Sequence, residues 1–429
     1  MKFSILTAAL LMAGYATAIP MINPTSFSDG TVAPLYAPIE TEAVRGSYIV
    51  VLKKDLSPEQ VENHAEWISS MSAANSFNSG DYLDNQGINH VYEMPNFKGY
   101  SGRFDTKTLE AIRQSDEVAY VEEDSVVYAS ELQRGAPWGL ARISTRDRLS
   151  LRNFNKYHYD AKAAGEGIKV YVIDTGINVK HVDFEGRAVW GKTIPLNDAD
   201  IDGNGHGSHC AGTIAGKKYG VAKKAIPVAV KVLSSNGSGS MSDVVKGVDW
   251  ATNEFLKDKA ASIKAGKPFK GSAANMSLGG GKSPSLDATV NGAVEAGLVF
   301  AVAAGNDNKD ACDYSPARAE LAITVGASTI FDERAYFSNY GECVDVFAPG
   351  LNIESVWNTN DHATNTISGT SMASPHVAGL AAYLLSSSPE GTTPKEIKQQ
   401  IIELSTRNVF KGLPNKTPNL LIFNGYESS

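Results

Sequence analysis

Beyond residue 133 the chain carries four short runs in which nearly every residue is apolar, at 170–173, 228–233, 299–303 and 321–325. A strand with one face in water alternates apolar and polar side chains. Runs apolar throughout belong to strands covered on both faces, as in a parallel sheet between layers of helices. Segments of helical character lie between and after them, at 242–259, 285–296, 371–386 and 393–405. This βαβ rhythm predicts an α/β fold with a doubly wound parallel sheet. Ligands of such sheets sit beyond the carboxyl ends of the strands, so reactive side chains are to be sought there.

A smaller unit precedes that sheet. Residues 48–52 read as a strand, and Ser57-Pro58-Glu59-Gln60 opens a helix running through Trp67. Ser57 is placed as N-cap, Pro58 at the first helical position and Gln60 for a capping box. A strand near 99–104, a helix over 106–114 and a last strand at 118–122 complete a small open α+β sandwich within 47–128. Residues 19–42, with Pro20, Pro24, Pro34 and Pro38 and no apolar period, read as a flexible spacer. Ahead of them, Lys2, an apolar run over 5–13 and small residues at Ala16 and Ala18 form the pattern of a secretory signal cut near Ala18. Spanning a membrane takes about 20 consecutive apolar residues, more than any run here supplies, so no membrane anchor is expected. The product is expected in the secretory pathway, in a vacuole lumen or outside the cell. Lys and Arg number 39 against 47 Asp and Glu, a formal charge of −8, which argues against nucleic acid as a partner.

Three Gly-flanked segments place a reactive side chain where a strand ends or a helix begins. Asp174 closes the strand 168–173 and precedes Thr175-Gly176; it can reach across the crevice, or serve as an N-cap or solvated turn residue. Gly203-Asn204-Gly205-His206-Gly207 leads into the helix-prone stretch 211–215, and the glycines around His206 let a substrate backbone approach. His209 competes for that role. The two histidines at i, i+3 can also be read as a metal site, although no Glu between them and no further His or Cys cluster completes a shell. Ser371, in Gly369-Thr370-Ser371-Met372-Ala373, begins a helix, where backbone N–H groups favour a developing oxyanion; an N-capping serine is the alternative.

Taken together, Asp174, His206 and Ser371, in that order and each in its glycine-rich frame, resemble the subtilisin-family serine proteases. The likeness is to their proteinase K-like branch and its fungal cerevisin group, and runs from Pro137-Trp138-Gly139 to Phe423-Asn424-Gly425. It implies a serine endopeptidase in which Asp174 orients His206, His206 takes the proton of Ser371, and Ser371 attacks the scissile carbonyl. It assigns Asn306, in Ala303-Ala304-Gly305-Asn306, to an oxyanion hole shared with the Ser371 N–H. Ser277-Leu278-Gly279-Gly280-Gly281 and Asn236-Gly237-Ser238-Gly239-Ser240 match edges that pair with protein and peptide substrates by strand addition. With Gly279, Gly280, Ala303, Ala304 and Gly305 around it, the pocket before the cut is expected to be wide and apolar, favouring large apolar residues.

Residues 47–128 resemble the family's pro-segment, a ferredoxin-like intramolecular inhibitor. The resemblance implies a zymogen with a signal over 1–18, a propeptide over 19–130 and a peptidase domain over 131–429, cut by itself between Tyr128 and Pro137. It also implies a Cys312–Cys343 disulfide, leaving Cys210 as the free thiol among three cysteines. A monomer is expected. The chemistry requires no cofactor, while Asp345 with the backbone carbonyls of Glu320 and Ala322 matches a structural calcium site. Two other classes use the same residues: an inactive relative that binds peptides in the cleft, and a luminal metallohydrolase built on His206 and His209. Of the glycosylation sequons at Asn236, Asn275 and Asn415, the first two fall on substrate-binding or strand segments, which points to Asn415 as the acceptor.

Overall fold

The computed structural model describes residues 32–37, 43–76, 87–94, 96–125, 130–161 and 164–426; the expected signal and the spacer before Val32 lie outside the described residues. The chain forms two compact units, Met1–Tyr128 and Ala129–Ser429.

In the first unit β1 (Leu35–Tyr36), β2 (Ala43–Leu52), α1 (Pro58–Ser76), β3 (Gly87–Met94), β4 (Phe97–Arg103), α2 (Thr106–Gln114) and β5 (Val118–Ser125) follow one another. Their sheet has the order β1-β5-β2-β4-β3, and its core is built from Val50, Leu52, Val61, Ile68, Tyr100, Ile112 and Val121. The capping box is present: Gln60 N–H donates to Ser57 Oγ at 3.3 Å and Ser57 N–H to Gln60 Oε1 at 2.8 Å. β3 is only partly buried or exposed along its whole length, so it carries no apolar period to read. The spacer reading fails at Leu35 and Tyr36, which pair in parallel with Val121 and Glu122. Pro34 has no N–H to give, but the pairing uses only its carbonyl, which accepts from Val121 N–H at 2.9 Å.

The second unit opens with β6 (Ser130–Arg134), α3 (Trp138–Arg142) and β7 (Lys156–Asp160), in which β6 and β7 form an antiparallel ribbon. There follow β8 (Lys169–Asp174), β9 (Val189–Thr193), α4 (His206–Ala215), β10 (Ile226–Lys231), α5 (Met241–Lys264), β11 (Ala273–Met276), β12 (Gly280–Gly281), α6 (Pro284–Ala296) and β13 (Val299–Ala303). The remainder is β14 (Tyr314–Ser315), β15 (Ile323–Ser328), β16 (Val346–Pro349), β17 (Ile353–Val356), β18 (Thr364–Ile367), α7 (Thr370–Ser387), α8 (Pro394–Leu404), β19 (Thr406–Arg407) and β20 (Leu420–Leu421). A nine-stranded sheet runs β19-β20-β16-β15-β13-β11-β8-β10-β9, parallel at every step but β19 to β20.

Along β8 successive side chains serve different cores. Val170 and Val172 pack in the cluster that holds α4 and α7, whereas Tyr171 and Ile173 pack in that of α5 and α6. This is why the run is apolar throughout, and each such side chain contributes roughly 1.5–3 kcal/mol. β11 is just as buried but reads Ala-Ala-Asn-Met, short and small, and passes unnoticed in a search for apolar runs. From β8 the chain moves to β10 and β9 on one side and later to β11 on the other, so the topological switch lies between β8 and β11.

One buried ion pair fixes the entry of this unit. Arg142 donates from Nε to Asp332 Oδ1 at 2.6 Å, from Nη2 to Oδ2 at 3.3 Å, and from Nη1 to the Thr145 carbonyl at 2.6 Å. Asp332 has φ 59°, which Asn also tolerates, so Asp332→Asn removes the charge and leaves the backbone alone. Stranding one partner of such a pair costs about 3–5 kcal/mol, and urea unfolding of Asp332→Asn is expected to show a loss in that range.

Candidate active site

The carboxylate of Asp174, at the end of β8, has no exposed surface. It accepts from Thr175 N–H at 2.7 Å and from His206 Nδ1 at 2.8 and 2.9 Å. His206 is the first residue of α4, delivered by Gly205 at φ 107°, where a side chain would also run into Trp357 and Asn358. Burial lowers the imidazole pKa, but the Asp174 charge and hydrogen bond, joined by the charge of Asp202, raise it above the ordinary value on balance. With Nδ1–H committed to the carboxylate, neutral His206 keeps its lone pair on Nε2.

His209 does not join it. Its Nε2 lies 2.9 Å from the Ile353 carbonyl, and burial brings its pKa down to about 4. Among the described residues the only cluster of three potential metal donors is Asp174, His206 and Cys210. Burial pushes the Cys210 thiol up, and its Sγ is already engaged, 3.4 Å from the Ser371 carbonyl.

Asp202, which the sequence reading passed over, holds the glycine loop in place. Its Oδ1 accepts from Thr175 Oγ1 and from the N–H groups of Asn204 and Gly205, and its Oδ2 from Ser208 N–H and Oγ, all at 2.6–3.0 Å. An acidic residue heading a Gly-Asn-Gly turn was the available signal.

Ser371 is the second residue of α7, and Pro375 stands four positions on. A proline has no N–H, so the carbonyl of Ser371 is released from the helical ladder. It accepts instead from Ser277 Oγ at 2.8 Å and from Cys210 Sγ at 3.4 Å, which ties the serine to the end of β11 and to α4. The Ser371 hydroxyl donates to the Ser277 carbonyl at 3.0 Å, rather than to the imidazole. Asn275 braces the same corner, donating to Ser277 Oγ and accepting from Ser374 Oγ. Fully buried with both ends of its amide engaged, Asn275 is closed to a glycan in the folded chain, whereas Asn415 is exposed.

Asn306 follows the end of β13. Its Oδ1 accepts from Thr370 N–H at 2.8 Å and Thr370 Oγ1 at 3.0 Å, which leaves Nδ2 to face the other way. Thr370 Oγ1 in turn accepts from Gly305 N–H at 3.1 Å. A Cβ on Gly369 would lie 3.5 Å from Ser371 N and 3.7 Å from both Nδ2 and Oδ1 of Asn306, so the glycine brings the Asn306 amide and the start of α7 close to one point.

A groove of about 420 Å³ leads from His206 between Gly237-Ser238-Gly239 and Ser277-Leu278-Gly279. Leu233, Met241 and Val244 complete its apolar lining, residues the sequence reading did not single out although two of them share the first turn of α5. Gly280, expected along the same edge, pairs with Ser315 in β12–β14 and is absent from that lining. Cys312 and Cys343 are joined by a disulfide, and Cys210 is free and buried. Asp345 Oδ2 accepts from Thr324 N–H at 2.8 Å, while Oδ1 lies 2.9 Å from Lys398 Nζ. That ammonium also donates to the carbonyls of Glu320 and Ala322, so the oxygens matched to calcium already surround a cation and do not fit a second one.

The sequence pattern of the subtilase family matches residues 165–418, and that of peptidase inhibitor I9 matches 47–130. The chain is 54% identical over 434 residues to a subtilisin-like protease of Coccidioides posadasii, covering 96% of this chain and 86% of that one. It is 55% identical over 414 residues to a subtilisin-like serine protease, Pen ch 18, of Penicillium rubens, covering 92% and 83%. Alkaline protease 2 of Aspergillus fumigatus is 54% identical over 423 residues, covering 92% and 84%. Among solved structures, a cold adapted subtilisin-like serine proteinase superposes with a TM-score of 0.60 at 46% identity, covering 68% of this chain and 98% of that one.

The electrostatics of His206 can be measured directly. Its imidazole should titrate by NMR above the ordinary value of about 6.5. Both Asp174→Asn and Asp202→Asn remove a negative charge that favours the protonated ring, so both midpoints should fall, further for Asp174→Asn. A midpoint unmoved by either change would contradict the charge balance described above.

Proposed function

The chain belongs to the subtilase family of serine endopeptidases, and on that premise we propose that Asp174, His206, Ser371 and Asn306 carry out its chemistry. The observation that carries the reading is the buried Asp174–His206 hydrogen bond, joined through Cys210 to a helix-start serine whose neighbour Thr370 holds the Asn306 amide. The Ser371 hydroxyl leaves the Ser277 carbonyl and turns to His206 Nε2. As Oγ bonds to the substrate carbonyl carbon, its proton passes to Nε2. Asp174 stabilises the resulting imidazolium. The oxyanion takes hydrogen bonds from Asn306 Nδ2 and Ser371 N–H. Nε2–H then protonates the leaving amine, and water, activated by the same imidazole, cleaves the acyl ester.

An I9-type domain ahead of a subtilase domain makes the chain a zymogen. We propose that the chain cuts itself before β6, because β6 is paired over its length with β7 and belongs to the second unit. The apolar leader supports entry into the secretory pathway, ending in a vacuole lumen or outside the cell.

A serine-directed fluorophosphonate should label the mature protein and fail to label Ser371→Ala. That variant should also stay uncut, while the active chain yields a new N-terminus no later than Ser130. Asn306→Ala should lower kcat with little change in KM; in subtilisin, a member of the same family, the matching loss is about 10²–10³. Labelling that survives Ser371→Ala would refute the assignment.

The substrate preference is for large apolar residues before the cut, and for a second apolar residue further upstream, seated against Leu233, Met241, Val244 and Leu278. A peptide library should show both preferences. Met241→Asp should lower kcat/KM for peptides with the upstream apolar residue by roughly tenfold or more, sparing shorter ones. Cleavage mainly after Lys or Arg would overturn this specificity.

A further inference from the structure

Lys398 stands on α8, a helix whose start is fixed by a capping box between Thr393 and Glu396. Its Nζ lies 2.7 Å from the Ala322 carbonyl, 3.2 Å from the Glu320 carbonyl and 2.9 Å from Asp345 Oδ1. Both charged side chains are only about a fifth exposed. We propose that Lys398 is a tethered cation standing in for a divalent ion, so that this chain holds the corner between β15 and β16 without calcium.

The count of donors and acceptors supports this. An ammonium carries three N–H bonds, and three oxygens from separate points of the chain converge on it. Calcium takes six to eight oxygens at about 2.3–2.6 Å, and a divalent charge among these same oxygens would sit against the ammonium. A covalently attached cation cannot dissociate, so the corner answers to no free-ion concentration. Lys398 joins α8 to the strand ends it packs beside, and Asp345 Oδ2 passes the link on to Thr324 N–H at the head of β15.

The test is thermal melting of the full chain carrying Ser371→Ala, which prevents self-digestion and needs no activity, in EGTA and in millimolar CaCl2. The melting temperature of the second unit should differ by less than about 1 °C between the two conditions. Lys398→Ala should melt several degrees lower in EGTA and recover with added Ca²⁺, and Asp345→Asn in that background should abolish the recovery. Lys398→Met, which keeps the stem and lacks the charge, should also melt lower and serves if the alanine variant does not fold. A calcium-dependent rise of several degrees with Lys398 intact would overturn the proposal. So would Lys398 variants that melt like the parent, or whose loss Ca²⁺ does not repair.

Discussion

A carboxylate with no exposed surface at the end of the central strand is the charge around which the site is arranged. An isolated buried carboxylate costs far more than the fold can supply, so Asp174 must be surrounded by donors. Thr175 N–H and His206 Nδ1–H supply them, and the segments that carry the two are tied to each other. Thr175 is held by Asp202 through its hydroxyl, and the same hydroxyl accepts from Gly207 N–H at 2.9 Å at the start of α4. The imidazole is thus clamped from its own backbone as well as from its ring. The charge that needs shelter also makes the imidazole more basic.

Ser371 and Asn306, the proposed nucleophile and oxyanion donor, are positioned by leaving helical hydrogen bonds unmade. The first turn of any α-helix has N–H groups without intrahelical partners, and α7 presents that of Ser371. Pro375 adds the complementary vacancy by freeing the Ser371 carbonyl, which Ser277 and Cys210 then take up. One residue therefore has its N–H open toward the crevice and its C=O bound to the scaffold behind it. Cys210, whose thiol burial keeps protonated, lies between Asp174 and that carbonyl, within reach of both.

How much of this could be read in the sequence follows from what periodicity and local frames encode. Strands such as β8 and β13 announce themselves because both faces are buried in large apolar side chains. β11 does not, since its alanines are small, and β1 does not, since two residues beside prolines leave no pattern. Asp174, His206 and Ser371 stand out as candidates because each sits at a strand end or helix start near glycine, and their joint reading comes from the resemblance to the subtilisin family. Asp202 is marked only by heading a Gly-Asn-Gly turn, and Lys398 by nothing local, because the oxygens it gathers meet it only in the folded chain. The calcium assignment rested on one carboxylate and two carbonyls, and no feature of residues 320–345 reveals that a lysine more than fifty positions on reaches the same point.

Lys398 has a counterpart nearer the crevice. Lys231, buried at the end of β10, donates to the carbonyls of Thr175 and Leu233, each at 3.0 Å, with Asp198 at 3.4 Å. In both places carbonyls just outside a parallel strand, after β8 and β10 at Lys231 and before β15 at Lys398, are gathered by an ammonium on a flexible stem. The two clusters differ in what they secure. Lys231 fixes the carbonyl of the residue after Asp174, so its charge supports the backbone beneath the imidazole, whereas Lys398 braces strand ends on the other side of the sheet. A lysine is always present at its own effective concentration, so rigidity beside the crevice and at the far strands arises with folding itself.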